Sequence, residues 1–144
     1  MTIQQLTILV ENRSNSLQEI LDILRDNNVQ LIATSLSDTA DYGFFRIICA
    51  EPLKAYESLK SAGLSVNLNE VLGIVLTDHN PGGAAAAVSN LTKEGIAIRY
   101  IYSFLSKGFG ILILSTHDEC RERASDILSS AGLTLLNNVM LEKM

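Results

Sequence analysis

The chain repeats one short pattern near the end of each half. Residues 61–64 read Ser-Ala-Gly-Leu, and the same four residues recur at 130–133. Each copy is followed by a strand-like run that reaches Asn69-Glu70-Val71 in the first half and Asn137-Asn138-Val139 in the second. Self-similarity at one period indicates repeated structural units. We therefore expect two modules of about 70 residues, over residues 1–69 and 70–144.

The first half predicts two helices among four strands. Leu17, Ile20, Leu21 and Leu24 have the i, i+3, i+4, i+7 spacing of an amphipathic helix over residues 14–27, with Ser14 or Ser16 as its cap. A second helix is expected over residues 52–63, with Pro52 in its first turn and Gly63 at its end. Alternating or continuous apolar runs predict strands over residues 3–10, 29–37, 42–50 and 64–69.

The second half repeats this order. Helices are expected over residues 81–94 and 118–131, and strands over residues 71–77, 96–104, 109–116 and 133–141. Each half thus predicts β-α-β-β-α-β, the ferredoxin-like arrangement of an antiparallel sheet with both helices on one face. The fold class is α+β with two such repeats. No Gly/Ser-rich or Pro-rich linker separates them, which favours a rigid pair or the exchange of an edge strand between the two copies.

Composition and charge exclude several function classes. Apolar residues make up 47% of the chain and charged residues 19%, as in a folded domain. The net charge of −5 disfavours nucleic acid and anionic membranes as partners. The N-terminus has neither a basic region nor a long apolar stretch, so we expect a cytoplasmic protein without a signal peptide or a membrane span. Cys49, Cys120 and the two histidines have no metal-ligand spacing, so no metal or cofactor is predicted.

The two loops between the first strand and the first helix of each half are the most informative segments. They cover residues 11–17 and 77–84, and each joins an apolar strand to a helix start. The first helical turn has N–H groups without intrahelical partners, and these donors suit a carboxylate. Gly82 and Gly83 allow a ligand to approach the backbone, and Pro81 presets the helix entry. The same residue types are also common as simple helix caps.

Together these segments resemble the ACT domain family, whose members are small regulatory modules that bind amino acids. The resemblance depends on the duplicated element order, on Pro81-Gly82-Gly83-Ala84 and on Gly95-Ile96-Ala97-Ile98 in the second copy. The first copy has Asn12-Arg13-Ser14-Asn15-Ser16-Leu17 and Asn28-Val29-Gln30-Leu31 at these places, and so lacks the Pro-Gly pair. In the second copy, an extra residue leaves His79 where the family has an acidic residue or Asn.

The resemblance implies a free amino acid held between the first loop of one domain and strand two of another. Backbone amides at residues 14–17 and 81–84 would hold its carboxylate, and Asn12 or His79 would accept a hydrogen bond from its ammonium group. It also implies that the two repeats pair side by side through strand two, and that the protein is a homodimer. The implied ligand-binding residues are Asn12, Ser14, Asn15, Ser16, Leu17, Ser35, His79, Asn80, Pro81, Gly82, Gly83, Ala84 and Tyr102.

Two alternatives stay open at this point. The first is catalysis, for which Arg13 in the first loop is the candidate for acyl-phosphate hydrolysis. No nucleophile, acid–base pair or phosphate-binding glycine loop is recognisable, so no enzyme activity is predicted. The second is an interaction module that docks on a separate metabolic enzyme, for which exposed sheet edges are suitable.

Overall fold

The computed structural model describes residues 1–38, 41–76 and 82–144. A 3-10 turn at Asp118–Cys120 precedes the fourth helix. The helices and strands are β1 (Ile3–Glu11), α1 (Ser16–Asp26), β2 (Leu31–Asp38), β3 (Tyr42–Cys49), α2 (Pro52–Ser61), β4 (Val66–Leu76), α3 (Gly83–Lys93), β5 (Ile98–Ser106), β6 (Phe109–Thr116), α4 (Arg121–Ser130), β7 (Leu135–Leu136) and α5 (Asn138–Lys143).

The chain forms two compact units. The N-terminal unit is Gln4–Asn69, and the C-terminal unit combines Met1–Ile3 with Glu70–Met144. Strand β4 contributes residues 66–69 to the first of these and residues 70–76 to the second. Each unit has the helix and strand order of a ferredoxin-like repeat, and the predicted α+β fold class is confirmed.

In the N-terminal unit the strand order is β2-β3-β1-β4. β3 pairs antiparallel with both β1 and β2, and the Leu9 N–H donates to the Ser65 carbonyl oxygen at 3.0 Å beside β4. The alternation of β1 places Leu6, Ile8 and Val10 on the side of the sheet where α1 and α2 pack. Ile20 and Leu24 of α1 are buried there, as their helical spacing predicts.

In the C-terminal unit the order is β7-β4-β6-β5, so this unit repeats the arrangement of the first. Leu72 and Ile74 of β4 pack with the buried faces of α3 and α4. Ala124 and Leu128 of α4 are buried, and Ile127 is partly buried against the same core. The helices are therefore on one face of the strands in this unit as well.

The predicted strands over residues 64–69 and 71–77 are wrong as separate elements, because β4 is continuous from Val66 to Leu76. Neither glycine nor proline interrupts residues 66–72, so nothing in this stretch favours a turn. The alternation of apolar and polar residues is compatible with one long strand as well as with two short ones.

The predicted last strand over residues 133–141 is also wrong. Only Leu135–Leu136 pairs with β4, and α5 follows. The Asn137 side chain accepts a hydrogen bond from the Met140 N–H at 2.9 Å, and this cap starts the helix. Leu141 is buried at the far end of α5, so one short helix covers the core where a strand was expected.

The start of α1 differs from the prediction in its cap. Asn15 is the N-cap residue, and neither Ser14 nor Ser16 makes a side-chain capping bond. The backbone N–H of Glu19 donates to the Asn15 carbonyl oxygen at 3.0 Å, which begins the regular helical bonding. The first turn of α1 therefore begins without a side-chain acceptor for its N–H groups.

Candidate functional site

A small open cleft lies in the N-terminal unit, between the β1–α1 loop and the adjoining ends of β2 and β3. Its volume is about 170 Å³. This is smaller than the pockets that hold drug-sized ligands, so the cleft has room only for a small molecule. The lining residues are Val10, Glu11, Asn12, Arg13, Leu17, Leu36, Asp38, Tyr42 and Gly43.

The pairing of three strands explains how the cleft forms. Val10 of β1 and Asp38 of β2 both lie opposite Gly43 of β3. Residues directly opposite one another in antiparallel strands point to the same side of the sheet. Val10 and Asp38 are therefore in one row on the helix side, with only a glycine between them, and this leaves an open floor below the first turn of α1.

Gly43 keeps that floor open because no side chain fits at its position. A Cβ atom there would lie 2.9 Å from the Ser37 carbonyl oxygen and 3.4 Å from Leu36 Cδ1. The first distance is shorter than real Cβ contacts, so even alanine would force the β2 backbone to move. The glycine thus permits both the close approach of β2 and the cleft beside it.

The start of α1 supplies hydrogen-bond donors at one wall of the cleft. The backbone N–H of Ser16 donates to the Arg13 carbonyl oxygen at 3.3 Å. The N–H groups of Leu17, which lines the cleft, and of Gln18, which follows it in the chain, have no acceptor within the described part of the chain. The helix dipole adds a positive partial charge at the same place. These features suit a bound carboxylate.

Ser16 is the first residue of α1 and is 5% exposed. Its hydroxyl oxygen has no hydrogen-bond partner among the residues that the structure describes. A buried hydroxyl without a partner costs free energy, typically about 1–3 kcal/mol. Ser16 does not line the cleft itself.

An ion-pair network joins the loop to the first turns of α1. Arg13 Nε lies 2.8 Å from Glu11 Oε2, and Arg13 Nη2 lies 3.6 Å from Glu19 Oε2. Asn15 Nδ2 donates to Glu19 Oε1 at 3.1 Å. Because these side chains are exposed, the network adds little stability and mainly orients the loop over the start of α1.

The cleft brings together only some of the predicted ligand-binding residues. Asn12 and Leu17 line it, whereas Ser14 and Asn15 are exposed in the loop beside it. Ser35 lies opposite Arg46, one position from the cleft-lining Leu36, so it is on the other side of the sheet.

The other predicted residues lie in the C-terminal unit. His79, Asn80 and Pro81 are outside the described residues. Gly82 has a φ of 106° and precedes α3, whose first two residues are Gly83 and Ala84. Tyr102 is partly buried in β5, opposite Ile113.

The sequence did not lead us to expect that the adjoining ends of β2 and β3 form walls of the cleft. Leu36, Asp38, Tyr42 and Gly43 enter the cleft because the hairpin brings them beside the first loop. The available signal was the short connection between the predicted strands over residues 29–37 and 42–50, which implies that the residues flanking it are neighbours. Glu11 and Arg13 belong to the predicted loop but were not assigned to ligand binding.

The C-terminal unit has the same strand register with different side chains. Leu76 and Leu105 both lie opposite Gly110, as Val10 and Asp38 lie opposite Gly43. A Cβ atom at Gly110 would be 3.4 Å from Leu76 Cβ, and one at Gly83 would be 3.3 Å from Leu76 Cδ2. Leu76 thus fills the space that these two glycines leave.

The two cysteines differ in their surroundings. Burial raises the pKa of the Cys49 thiol to about 11, so this thiol is protonated at neutral pH and a poor nucleophile. Cys120 is partly exposed in the 3-10 turn.

Within residues 1–38, 41–76 and 82–144, no group of three or more His, Cys, Asp or Glu side chains is arranged so that it could hold a metal ion. None of the helices in these ranges combines the length and the apolar character needed to span a membrane.

The family model of the ACT domain pair matches residues 1–144. The chain belongs to this family, and an ACT domain pair is a regulatory module. Among curated proteins, none matches the chain significantly.

Solved structures support the fold. Protein BT0572 from Bacteroides thetaiotaomicron is similar, with 31% identity and a TM-score of 0.89, over 100% of this chain and 98% of that one. The regulatory subunit of aspartate kinase from Thermus thermophilus has 15% identity and a TM-score of 0.60, over 89% and 91% of the two chains. A structure of aspartokinase alpha and beta subunits has 18% identity and a TM-score of 0.57, over 90% and 91%. At these lower identities the last two show the shared fold.

Proposed function

We propose that this ACT domain pair is a regulatory protein that binds a free amino acid in the cleft of the N-terminal unit. The observation that carries the proposal is the position of the cleft beside the start of α1. The N–H groups of Leu17, which lines the cleft, and of the adjoining Gln18 have no acceptor within the described residues. The wall across the cleft includes the Asp38 carboxylate and the apolar Leu36.

An amino acid matches this arrangement group by group. Its carboxylate accepts hydrogen bonds from the N–H groups at the start of α1. Its ammonium group donates to the Asn12 side-chain oxygen, which accepts no hydrogen bond from another described side chain. Val10, Leu17 and Leu36 supply apolar contact for its side chain. An α-amino acid carries all three kinds of group in a molecule small enough for the cleft.

Binding would report the concentration of the amino acid by stabilising the loop and the start of α1. A ligand that binds only the folded form at 100 times its dissociation constant adds about 2.7 kcal/mol to the free energy of unfolding. The regulatory class of the family and the aspartate kinase regulatory subunit of similar fold support a role in amino-acid metabolism.

Thermal unfolding of the full chain with each of the twenty amino acids tests the proposal. We expect a concentration-dependent rise in Tm with at least one of them, and a smaller rise in Asn12→Ala. Asn27→Ala is the matched control, because Asn27 is at the opposite end of α1, where its amide donates to the Ile23 carbonyl oxygen at 2.8 Å. The absence of any rise in the wild-type chain at millimolar concentrations would refute amino-acid binding.

A second candidate function is docking, either on a metabolic enzyme or on another copy of the chain. It is favoured by β5, an edge strand on which Ile101 is 47% exposed and Leu105 is 80% exposed. Edge strands with exposed apolar side chains readily pair with another chain. Light scattering of the purified chain distinguishes a homodimer from a monomer. A monomer without an amino-acid response would favour the separate enzyme. The cytoplasmic location stays a prediction.

A further inference from the structure

We propose that Asp38 makes the cleft selective for amino acids with a cationic side chain. This inference depends on the proposed amino-acid binding and adds the chemical class of the ligand. It derives from the distribution of charge in the cleft and from a comparison of equivalent positions in the two units.

The charges that line the cleft are unevenly balanced. Glu11, Asp38 and Arg13 are the charged side chains among the lining residues. Arg13 lies 2.8 Å from Glu11 and also contacts Glu19 outside the cleft, so its charge is already compensated. Asp38 makes no ion pair with any described residue. The cleft therefore has one uncompensated carboxylate, which attracts a cation and repels an anion.

Asp38 and the start of α1 lie on different walls of the cleft and would contact different groups of a ligand. The donors at residues 17 and 18 belong to the first turn of α1, whereas Asp38 is the last residue of β2, on the other wall. A ligand whose carboxylate binds at α1 directs its remaining groups away from those donors. A cation at the far end of its side chain would then lie beside the Asp38 carboxylate.

The repeat itself provides a natural comparison. Asp38 lies opposite Gly43 in the N-terminal unit, and Leu105 lies opposite Gly110 in the C-terminal unit. Both glycines also lie opposite the last helix-side apolar residue of the neighbouring strand, Val10 or Leu76. The same place in the fold thus has a carboxylate in one unit and an apolar side chain in the other. The fold that the two units share therefore does not need a carboxylate at this position.

The test compares lysine with norleucine, which has the same carbon chain but lacks the terminal ammonium group. Calorimetric titration of the full chain is expected to give a higher affinity for lysine than for norleucine, by up to about fivefold, which is the most that one exposed ion pair supplies. High salt should reduce the difference because it screens charges. Asp38→Asn and Asp38→Leu should abolish the preference while norleucine binding is retained.

Leu105→Asp is the matched control, because it places a carboxylate at the equivalent position of the other unit, where Leu105 is 80% exposed. It should leave the preference for lysine unchanged. Equal wild-type affinities for lysine and norleucine would overturn the selectivity and leave amino-acid binding intact. Equal weakening of both ligands by Asp38→Leu would also overturn it, since Asp38 would then hold the α-ammonium group. If none of the twenty amino acids nor norleucine binds, the proposed function itself is wrong.

Discussion

Ile3 of β1 packs directly over Gly73 of β4 in the C-terminal unit. A Cβ atom at Gly73 would lie 2.2 Å from Ile3 Cδ1 and 3.3 Å from Ile3 Cγ1. Ile3 is fully buried, so it has little room to move away. The glycine is therefore needed for close packing, not for an unusual backbone angle, since the positive-φ glycines of the described chain do not include it.

We expect Gly73→Ala to lower the free energy of unfolding by about 1–2 kcal/mol, because the added methyl group overpacks this contact. Urea unfolding monitored by circular dichroism measures the change. The double variant Ile3→Val with Gly73→Ala should lose less than the sum of the two single variants, since valine lacks the Cδ1 atom that collides. Strict additivity would show that Ile3 does not limit the space at Gly73.

Asn137→Ala should destabilise α5 by about 1 kcal/mol, because it removes the side chain that accepts from the Met140 N–H. Hydrogen exchange of the α5 amides should accelerate, while exchange in α1 stays the same. Asn137→Asp is the control, because aspartate caps as well as asparagine. Loss of protection in both variants would mean that capping is not what starts this helix.

The raised pKa of Cys49, about 11 against an ordinary 9.0, predicts a pH dependence of stability. The unfolded chain loses the thiol proton at lower pH than the folded chain, so the folded state binds more protons between these values. The stability is therefore fully present below pH 9 and falls as the pH rises towards 11, by on the order of 2 kcal/mol.

Unfolding measured from pH 8 to 11 in the wild-type chain and in Cys49→Ala isolates this contribution, because the other titrating groups are common to both. The decline with pH should be shallower in Cys49→Ala. Parallel profiles would contradict the prediction. Alkylation provides a second measurement, since Cys120 should react before the buried Cys49 in the folded chain.

Arg13→Ala should change the free energy of unfolding by less than about 1 kcal/mol, because exposed ion pairs contribute little. Arg13 is 52% exposed, and its partners Glu11 and Glu19 are 72% and 45% exposed. A melt in low and high salt measures the effect. A loss well above this value would show that the network stabilises the unit as well as orienting the loop.

The repeat, the fold class and the buried faces of the helices were predictable, because they depend on local periodicity. Leu72 and Ile74 are two residues apart, a spacing that places both on one face of a strand. Ala124 and Leu128 are four residues apart, a spacing that places both on one face of a helix. The start of α1 was predictable for a similar reason, since loop composition indicates where a helix begins. Asn12 and Leu17, which the family resemblance implied as ligand-binding residues, line the cleft.

The cleft as a whole was not predictable, because its walls come from segments far apart in the chain. The strand register decides that Asp38 and Val10 share a row with Gly43, and a one-residue shift would turn Asp38 to the other side of the sheet. Likewise, the continuity of β4 and the two-residue length of β7 depend on which partners are available.

Local patterns in the chain thus specify what each element is and which of its faces is buried, because hydrophobic burial acts on every residue in proportion to its own apolar surface. Local patterns do not specify which side chains from different elements contact one another. Asp38 lines the same cleft as Leu17 of α1, and Ile3 covers Gly73, only because the fold brings segments that are distant in the chain together. Such pairings depend on packing between segments, and no short window of sequence contains both partners.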